Sequence, residues 1–539
     1  MNSLLKNKTT IILTILVIAA FLRLFGIDFG QPYLYHPDEI KLTAQAGRML
    51  STKFMQKEAY FGIQVYPPFY PYLLAGVLAI HVGTGLLTGQ YASLNQVQTA
   101  FEQDPFVFFL WSRMFVALLG VLTVLWLYHI GKKLYSEKIG IIAALLLSVN
   151  FLHVRHSHFG TVDAPAAFFG TLCMLGCVLM MQSHKTRFTL LTAACVSLAV
   201  ATKFSMLFLL LPFLWAHFSQ APFKYWPARL KDKQLWIGAA TGIATFLIAC
   251  PLIWLDFNET WGGILGTHRF EKIGKIGSGG GFLSYWTGNQ APGFGVFYPN
   301  SIPETMVILL MIAIIVGIIL MIIKHRKSDI LLLLFMIPTY WMFEDMSIKA
   351  MRHILPLTPF FMIAAALAMQ WLFQYIKKKK PAYIIGIGLL LFISLENFSH
   401  SIIYFHRINH LDPRTRAAAW INENITSASA IVLESFPPPV PESGSPHRIE
   451  ADLLRKSSET TDNLVTLLKS GNCCYYISDD FTRQTFNWSF TKNKYPEITK
   501  DRIEFFNWLE KNGTRVKSFE SKYPRLQPGI IIYQLKPSG

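Results

Sequence analysis

Two adjacent carboxylates stand in the segment Tyr35-His36-Pro37-Asp38-Glu39, just past the first long apolar stretch, Ile11 to Ile27. Proline suits the first position of a helix, so Pro37 marks a helix start with both acids in its first turn. There the helix dipole favours the charged form of an acid. A pair of ionised carboxylates at a bilayer surface can take a proton from an acceptor or hold a divalent cation. The same residues also read as no more than a good helix start. The rest of the chain decides between the two readings.

More chemistry-bearing residues flank the later apolar stretches. His153-Val-Arg155-His156-Ser-His158 closes one, Thr161-Val-Asp163 opens the next, and Lys203 stands between two others. Glu344, Asp345, Lys349, Arg352 and His353 fill a short connection, and Arg23 lies near the end of the first stretch. Ionisable groups at membrane depth are costly and mark functional candidates, unless they snorkel or pair with one another. Carboxylates suit an acceptor hydroxyl or amine, or a metal. Arg155, Lys203, Arg352 and His353 suit a phosphate or diphosphate.

The elements that must position these residues are membrane helices. The 539 residues are 52% hydrophobic and 15% charged, and the mean hydropathy is +0.36. That composition excludes an ordinary soluble enzyme. A net charge of +17 could suggest nucleic acid. The basic residues fall in short clusters between apolar stretches, so membrane topology and phosphate-bearing lipids explain them and no nucleic-acid partner is expected.

The expected spans are 10–27, 107–130, 138–153, 162–182, 188–202, 204–218, 235–254, 303–323, 329–343, 354–376 and 381–398. Lys6/Lys8, Lys132/Lys133, Lys185/Arg187, Lys224 to Lys233, Lys324 to Lys327 and Lys377 to Lys380 then share one side, which must be the cytoplasm. No small-x-small cleavage site follows Ile27, so the first stretch is read as an uncleaved span. Pro67 to Leu87 is apolar too, but counting it would put Lys132 and Lys133 outside; it is read as a helix along the outer interface. The expectation is a multi-pass protein of about eleven spans in the bacterial inner membrane, amino terminus inside and tail outside. Outer loops 28–106 and 255–302 and the tail carry the irregular polar chain, so chemistry belongs on the outer face.

Residues 1–400 form the membrane domain. The tail, 405–539, reads as an extracytoplasmic α/β domain, large enough for its own core. A helix is expected over Asp412 to Asn424 and another over Arg502 to Leu509, with strands at Ala430 to Leu433, Cys474 to Ile477 and Ile530 to Leu535. Cys173, Cys177, Cys195 and Cys250 read as inert packing residues, and Cys473 and Cys474 are adjacent in the tail. No zinc spacing occurs. Gly277-Ser-Gly-Gly-Gly281 lacks the ending of a nucleotide phosphate loop. It reads as a plain mobile loop, or as a lid offering Phe282, Tyr285, Trp286 and Phe294 to stack on a sugar.

Nucleotide sugars are made in the cytoplasm, so an outer-face enzyme using activated sugar needs a donor carried across on a lipid. A polyprenyl-phosphate sugar fits both the apolar surroundings and the cations. Its leaving group is already good, so the protein need only stabilise the phosphate and deprotonate the acceptor.

The chain resembles membrane glycosyltransferases of the GT-C fold, in the group of dolichyl-phosphate-mannose protein mannosyltransferases and lipid A aminoarabinose transferases. The resemblance rests on Arg23-Leu-Phe-Gly leading to His36-Pro-Asp-Glu39, on Tyr66-Pro-Pro-Phe-Tyr-Pro-Tyr72, on His153 to Pro165, and on Met351-Arg-His-Ile-Leu-Pro-Leu-Thr-Pro359. It implies that Asp38 is the catalytic base, Glu39 its partner or a metal contact, and Asp163 a second acid orienting the acceptor or a metal. Arg155, His158, Lys203, Arg352 and His353 would contact the donor phosphate. It further implies inversion at the anomeric carbon and a lipid, glycan or protein acceptor. Metal dependence varies in such enzymes, so a divalent ion on Asp38, Glu39 and Asp163 stays open.

Two other classes compete. A transporter would also need buried charges, but it more often shows paired half-repeats with interrupted helices. A non-catalytic protein of the cell envelope would not need Asp38 and Glu39.

Overall fold

A computed structural model describes residues 8–50, 66–251, 308–345, 351–376, 380–408 and most of 412–535. Loop 255–302 with its glycine-rich stretch, Lys349, Lys377 to Lys379, and Cys473 with Cys474 lie outside the described residues.

Each apolar stretch named above carries a helix. α1 (Lys8–Leu24) leads through a loop to α2 (Pro37–Met49), the helix that Pro37 starts. α3 (Phe69–Leu87), α4 (Leu94–Gln103) and α5 (Phe106–Leu134) follow. α6 (Glu137–Val149) turns back on α5, with the Ser136 side chain accepting from the Ile139 N–H to cap it. At that hairpin Gly131 lies on the backbone of Gly140, where a Cβ would collide, so the two helices meet backbone to backbone. The Asn150 side chain caps α7 (Phe151–His156), and α8 (Asp163–Gln182) follows six residues on. α9 (Thr186–Thr202) ends at Lys203. A 3-10 turn, Phe204–Leu209, then runs into α10 (Leu210–Phe218), and α11 (Lys233–Ala249) closes this part.

The second part holds α12 (Ile308–Lys324) and α13 (Lys327–Asp345). A 3-10 turn, Met351–Leu357, opens α14 (Thr358–Ile376), and α15 (Lys380–Ile408) leads to the tail. Gly317 of α12 sits against the backbone of Ala364 in α14, another small-residue crossing of the membrane type. α8 and α14 are the most enclosed of the long apolar helices. They carry Asp163 and the Arg352-His353 pair at their amino-terminal ends, where the 3-10 turn packs on α8.

Among the described residues five helices are long and apolar enough to cross a membrane, or six if Phe204–Phe218 and Phe223–Arg229, bent by 99°, count as one. The protein is thus an integral membrane protein by composition and helix length. The eleven-span count is finer than this. α3 itself passes the test for a crossing helix, so its interfacial placement belongs with the topology proposal.

The tail folds on a five-stranded sheet of order β2-β1-β3-β5-β4. β1 (Ala430–Leu433) pairs in parallel with β2 (His447–Glu450) and β3 (Tyr475–Asp479), and β5 (Ile530–Leu535) runs antiparallel to β3 and to β4 (Gly513–Phe519). One face packs under α19 (Pro496–Asn512) and α17 (Thr461–Lys469) through Tyr476, Phe505, Leu509 and Tyr533. The other packs under α16 (Pro413–Asn424) through Ala417, Ala418 and Ile421. α18 (Asp480–Thr485) follows β3 directly.

Candidate active site

The amino-terminal turn of α2 sends its two acids in different directions. Glu39 is fully buried and closed. Arg113, from the amino-terminal third of α5, forks onto it with Nε 2.7 Å from Oε1 and Nη2 2.9 Å from Oε2, and both side chains are 0% exposed. The Gly160 N–H donates to Oε1 at 2.9 Å. The remaining Arg113 nitrogen donates to the Ile27 and Phe29 carbonyls, each at 2.9 Å, and its guanidinium lies 4.0 Å from the Phe29 ring centroid. One ion pair thereby ties α2, α5, the loop after α1 and the loop before α8.

Asp38 faces the other way and keeps 22% of its side chain exposed. The Tyr66 hydroxyl donates to Oδ2 at 3.4 Å, and Arg352 Nη2 lies 3.5 Å from the same oxygen. Arg352 also acts electrostatically on Asp163 and hydrogen-bonds Tyr66. Asp163, the first residue of α8, accepts from Lys203 Nζ at 2.7 Å. Lys203 lies 5.9 Å from the Phe343 ring centroid, and the His353 ring stacks on Phe343 at 5.9 Å. Asp38, Asp163, Lys203, Arg352 and His353 therefore form one group at the ends of α2, α8, α9, α13 and α14. His36 packs on Phe159 at 4.6 Å beside them. Burial lowers its pKa below the ordinary histidine value against the opposing pull of Asp38 and Glu39, which leaves a neutral ring next to Asp38.

Several expected roles change. His158 does not face this group: its ring stacks on Phe405 at 3.7 Å, and its nitrogens lie 2.9 Å from the Val154 carbonyl and 3.1 Å from that of Phe25. A ring held between an aromatic plate and two carbonyls has no free edge for a phosphate. Arg155 turns toward α15, its guanidinium 5.2 Å from the Tyr404 ring centroid. Arg23 is a clasp inside the bundle, donating to the Ala19, Ser148 and Leu147 carbonyls and contacting His153 Nδ1 at 3.0 Å. Gly120 leaves room for it, since a side chain there would strike the Arg23 guanidinium. Glu344 bonds the Tyr340 hydroxyl, and Arg352 pairs with Asp38.

Arg113 is the residue that sequence reasoning missed. The signal was there, an arginine inside an apolar run, but the run was counted as one hydrophobic segment. Tyr66 touches Asp38, and Tyr70 is completely buried with its hydroxyl unpartnered among the described residues, near the charges of Glu39 and Asp163.

The three acids named for a metal do not converge, because Glu39 is saturated by Arg113 and Asp163 is held by Lys203. Among the described residues no group of three His, Cys, Asp or Glu side chains is placed to hold an ion. The described residues do not fit a resident metal.

The crystal structure of ArnT from Cupriavidus metallidurans bound to undecaprenyl phosphate superposes with a TM-score of 0.53 at 12% identity, covering 98% of both chains. The apo form of that protein gives 0.54 at 13% identity over 97% of both. The Archaeoglobus fulgidus oligosaccharyltransferase AglB, in complex with an inhibitory peptide and a dolichol-phosphate, gives 0.50 at 13% identity, covering 90% of this chain and 72% of its own. No curated protein matches the chain. These structures show the fold of the chain. Within it, residues 15–259, which supply Asp38, Glu39, Arg113, Asp163 and Lys203, match the model of the Dolichyl-phosphate-mannose-protein mannosyltransferase family.

Proposed function

We propose that the protein moves a sugar from a polyprenyl-phosphate carrier to a lipid, glycan or protein acceptor on the extracytoplasmic face of the inner membrane, with inversion. The amino terminus then lies in the cytoplasm, residues 1–400 form the transferase domain and 405–539 an outer domain. The observation that carries this reading is the Asp38–Arg352 pair. It is a partly exposed carboxylate beside a cation, at the ends of apolar helices that suit a lipid chain.

The chemistry is a single displacement. Asp38 takes the proton of the acceptor hydroxyl, and the acceptor oxygen attacks the anomeric carbon from the side opposite the phosphate. The bond from that carbon to the phosphate oxygen breaks, and the polyprenyl phosphate leaves with the electron pair. Arg352, with Lys203 and His353 behind it, meets the charge that grows on the leaving phosphate. Asp163 holds Lys203 in place at 2.7 Å. Glu39 acts through Arg113, fixing the turn that aims Asp38. Arg155 and His158 have no role in this scheme.

The test uses purified protein in lipid nanodiscs with radiolabelled polyprenyl-phosphate mannose and polyprenyl-phosphate aminoarabinose, and membrane extract as acceptor. Transfer of label, lost in Asp38→Asn, supports the reading. No transfer from either donor, with no lipid-linked sugar accumulating in a strain lacking the protein, overturns it. Topology is checked apart: an enzyme reporter active only outside the cytoplasm should work when fused at Gly539 and stay silent after Lys133.

A further inference from the structure

The tail reaches back to the segment that carries Asp38. The Tyr35 hydroxyl hydrogen-bonds the Thr415 hydroxyl in the first turn of α16. The Arg414 guanidinium lies 4.0 Å from the Tyr35 ring centroid, in stacking range. Arg414 is itself held by a fork onto Asp412, at 3.0 Å from Nε to Oδ1 and 2.7 Å from Nη2 to Oδ2, and both residues are buried. Asp412 also accepts from the Arg414 N–H at 2.8 Å, capping α16. Just before α16 in the chain, the Ile408 carbonyl accepts from Gln527 Nε2 at 3.3 Å, joining the approach to β5 with the end of α15. α16 packs on β4 and β5, so the whole sheet stands behind these contacts.

We propose that this contact is a latch by which the tail domain positions the catalytic base, with Tyr35 and Arg414 as positioning residues. The inference rests on the transfer reading above. The segment Tyr35 to Glu39 is pinned at both ends and by different domains. Glu39 is anchored among the membrane helices by Arg113 and Gly160. Tyr35 is anchored by the tail. Only His36, Pro37 and Asp38 lie between. Pro37 has a fixed φ, and an extended chain advances about 3.3–3.6 Å per residue, so movement of Tyr35 passes directly to Asp38. Displacement of a reacting group by about 1 Å can lower a rate by about a hundredfold. The latch joins a planar cation, an aromatic face and a hydroxyl, all of which the tail supplies or receives through one helix turn. Neither Tyr35 nor Arg414 touches Asp38 or the cations around it in the contacts described, so its effect runs through the backbone.

The test is made on the full chain in nanodiscs, with two readouts. The first is hydrogen exchange of the peptide covering residues 33–42. Tyr35→Ala and Arg414→Ala should raise its exchange at least tenfold while the peptides of α5 and α8 stay protected. The second is steady-state transfer from the polyprenyl-phosphate sugar. Both variants should lose about ten- to a hundredfold in kcat, with KM for the donor within twofold. Tyr35→Phe keeps the ring under Arg414 and should recover most of kcat, whereas Arg414→Lys loses the planar stack and should not. Arg414→Lys also serves if Arg414→Ala does not fold, and Thr415→Val, which removes only the hydroxyl, should behave like Tyr35→Phe. Unchanged exchange at 33–42 in folded Tyr35→Ala would overturn the latch, as would raised exchange with kcat unchanged. A rise in KM with kcat kept would make Tyr35 a donor contact and also overturn it. If the unaltered protein transfers no sugar, the transfer reading fails, and the exchange experiment alone decides whether the tail holds this segment.

Discussion

Asp38 and Glu39 share a peptide bond and a helix turn, yet the fold treats them oppositely. Glu39 is completely enclosed and meets three donors at 2.7–2.9 Å. Asp38 is partly exposed and meets two groups at 3.4 and 3.5 Å. A buried carboxylate whose hydrogen bonds are all made is expensive to disturb, so it serves as a fixed point. One with long, half-solvated contacts keeps capacity for a new partner, which is what a base needs in the free enzyme. The tail repeats the pattern at Asp479 and Asp480. Asp479 is enclosed, caps α18 through the Thr482 N–H at 2.6 Å and also accepts the Thr482 hydroxyl at 2.8 Å. Asp480 is only partly buried and accepts the Gly529 N–H at 2.8 Å. In each adjacent pair one acid is enclosed and the other keeps partial exposure.

The largest effect that tests this contrast is on turnover. Asp38→Asn is nearly isosteric, and loss of a placed base lowers rate by about 10²- to 10⁴-fold. Melting of the ligand-free protein should barely move. Glu39→Gln should show the reverse emphasis, with the stability loss exceeding the direct catalytic loss. Full activity in purified Asp38→Asn would end the assignment of the base.

Next in size is the closed pair. Arg113→Ala strands Glu39 as an uncompensated buried charge, so a destabilisation of about 3–5 kcal/mol is expected. The double variant Arg113→Met, Glu39→Gln should recover a large part of it, because no charge is then left unpaired. A double-mutant cycle by denaturant or thermal melting measures the coupling. If Arg113→Ala melts like the parent, Glu39 is not a structural anchor and its catalytic reading returns.

How much of this was open to view in the sequence differs between the two acids. Pro37 followed by two acids announces the helix start, and the helix begins there. That Glu39 is the closed acid depends on Arg113, 74 residues away on α5. No local pattern carries that pairing. The histidines show the same limit. Choosing among Arg155, His156 and His158 needs the phase of α7, a helix of six residues, and its relation to α15, whose Phe405 seals His158. The long helices were legible because twenty apolar residues leave few alternatives. In the tail, buried β1, β3 and β5 announce themselves by apolar runs. β2 and β4 are mostly exposed, so neither shows the apolar run that marks a strand.

The third test concerns Arg352. It pairs with Asp38, and with side chains 33% and 22% exposed this contact should add little to stability. In the proposed mechanism its value lies in the donor phosphate, where a charge-assisted contact contributes about 1.5–3 kcal/mol. Arg352→Ala should therefore weaken donor affinity by about ten- to a hundredfold with little change in melting. Measured binding of the polyprenyl-phosphate sugar to nanodisc protein decides it. A lower melting temperature with unchanged affinity would remove Arg352 from the site and leave Asp38 without its phosphate partner.

The smallest expected effect lies in the tail and tests whether the second acid pair follows the same division. Burial pushes the Asp480 carboxyl up to about 7, helped by the charge of Asp479, while the Gly529 N–H pulls it back. A carboxyl whose pKa is higher folded than unfolded binds its proton more tightly in the folded state. Its contribution to stability is therefore complete below about pH 4, falls as pH rises toward about 7, and is flat above. Hydrogen exchange of residues 475–487 in the full chain should accordingly be slower at pH 5 than at pH 8, after correction for the intrinsic pH dependence of exchange. Asp480→Asn, which cannot ionise, should remove that difference and leave transfer activity at fixed pH unchanged. Asp479→Asn should instead raise exchange at every pH, because it weakens the cap of α18. If Asp480→Asn kept the full pH dependence, the titrating group would be another. Glu434 would be next to examine, since its Oε2 accepts the Asp479 N–H at 2.7 Å and burial raises its pKa as well.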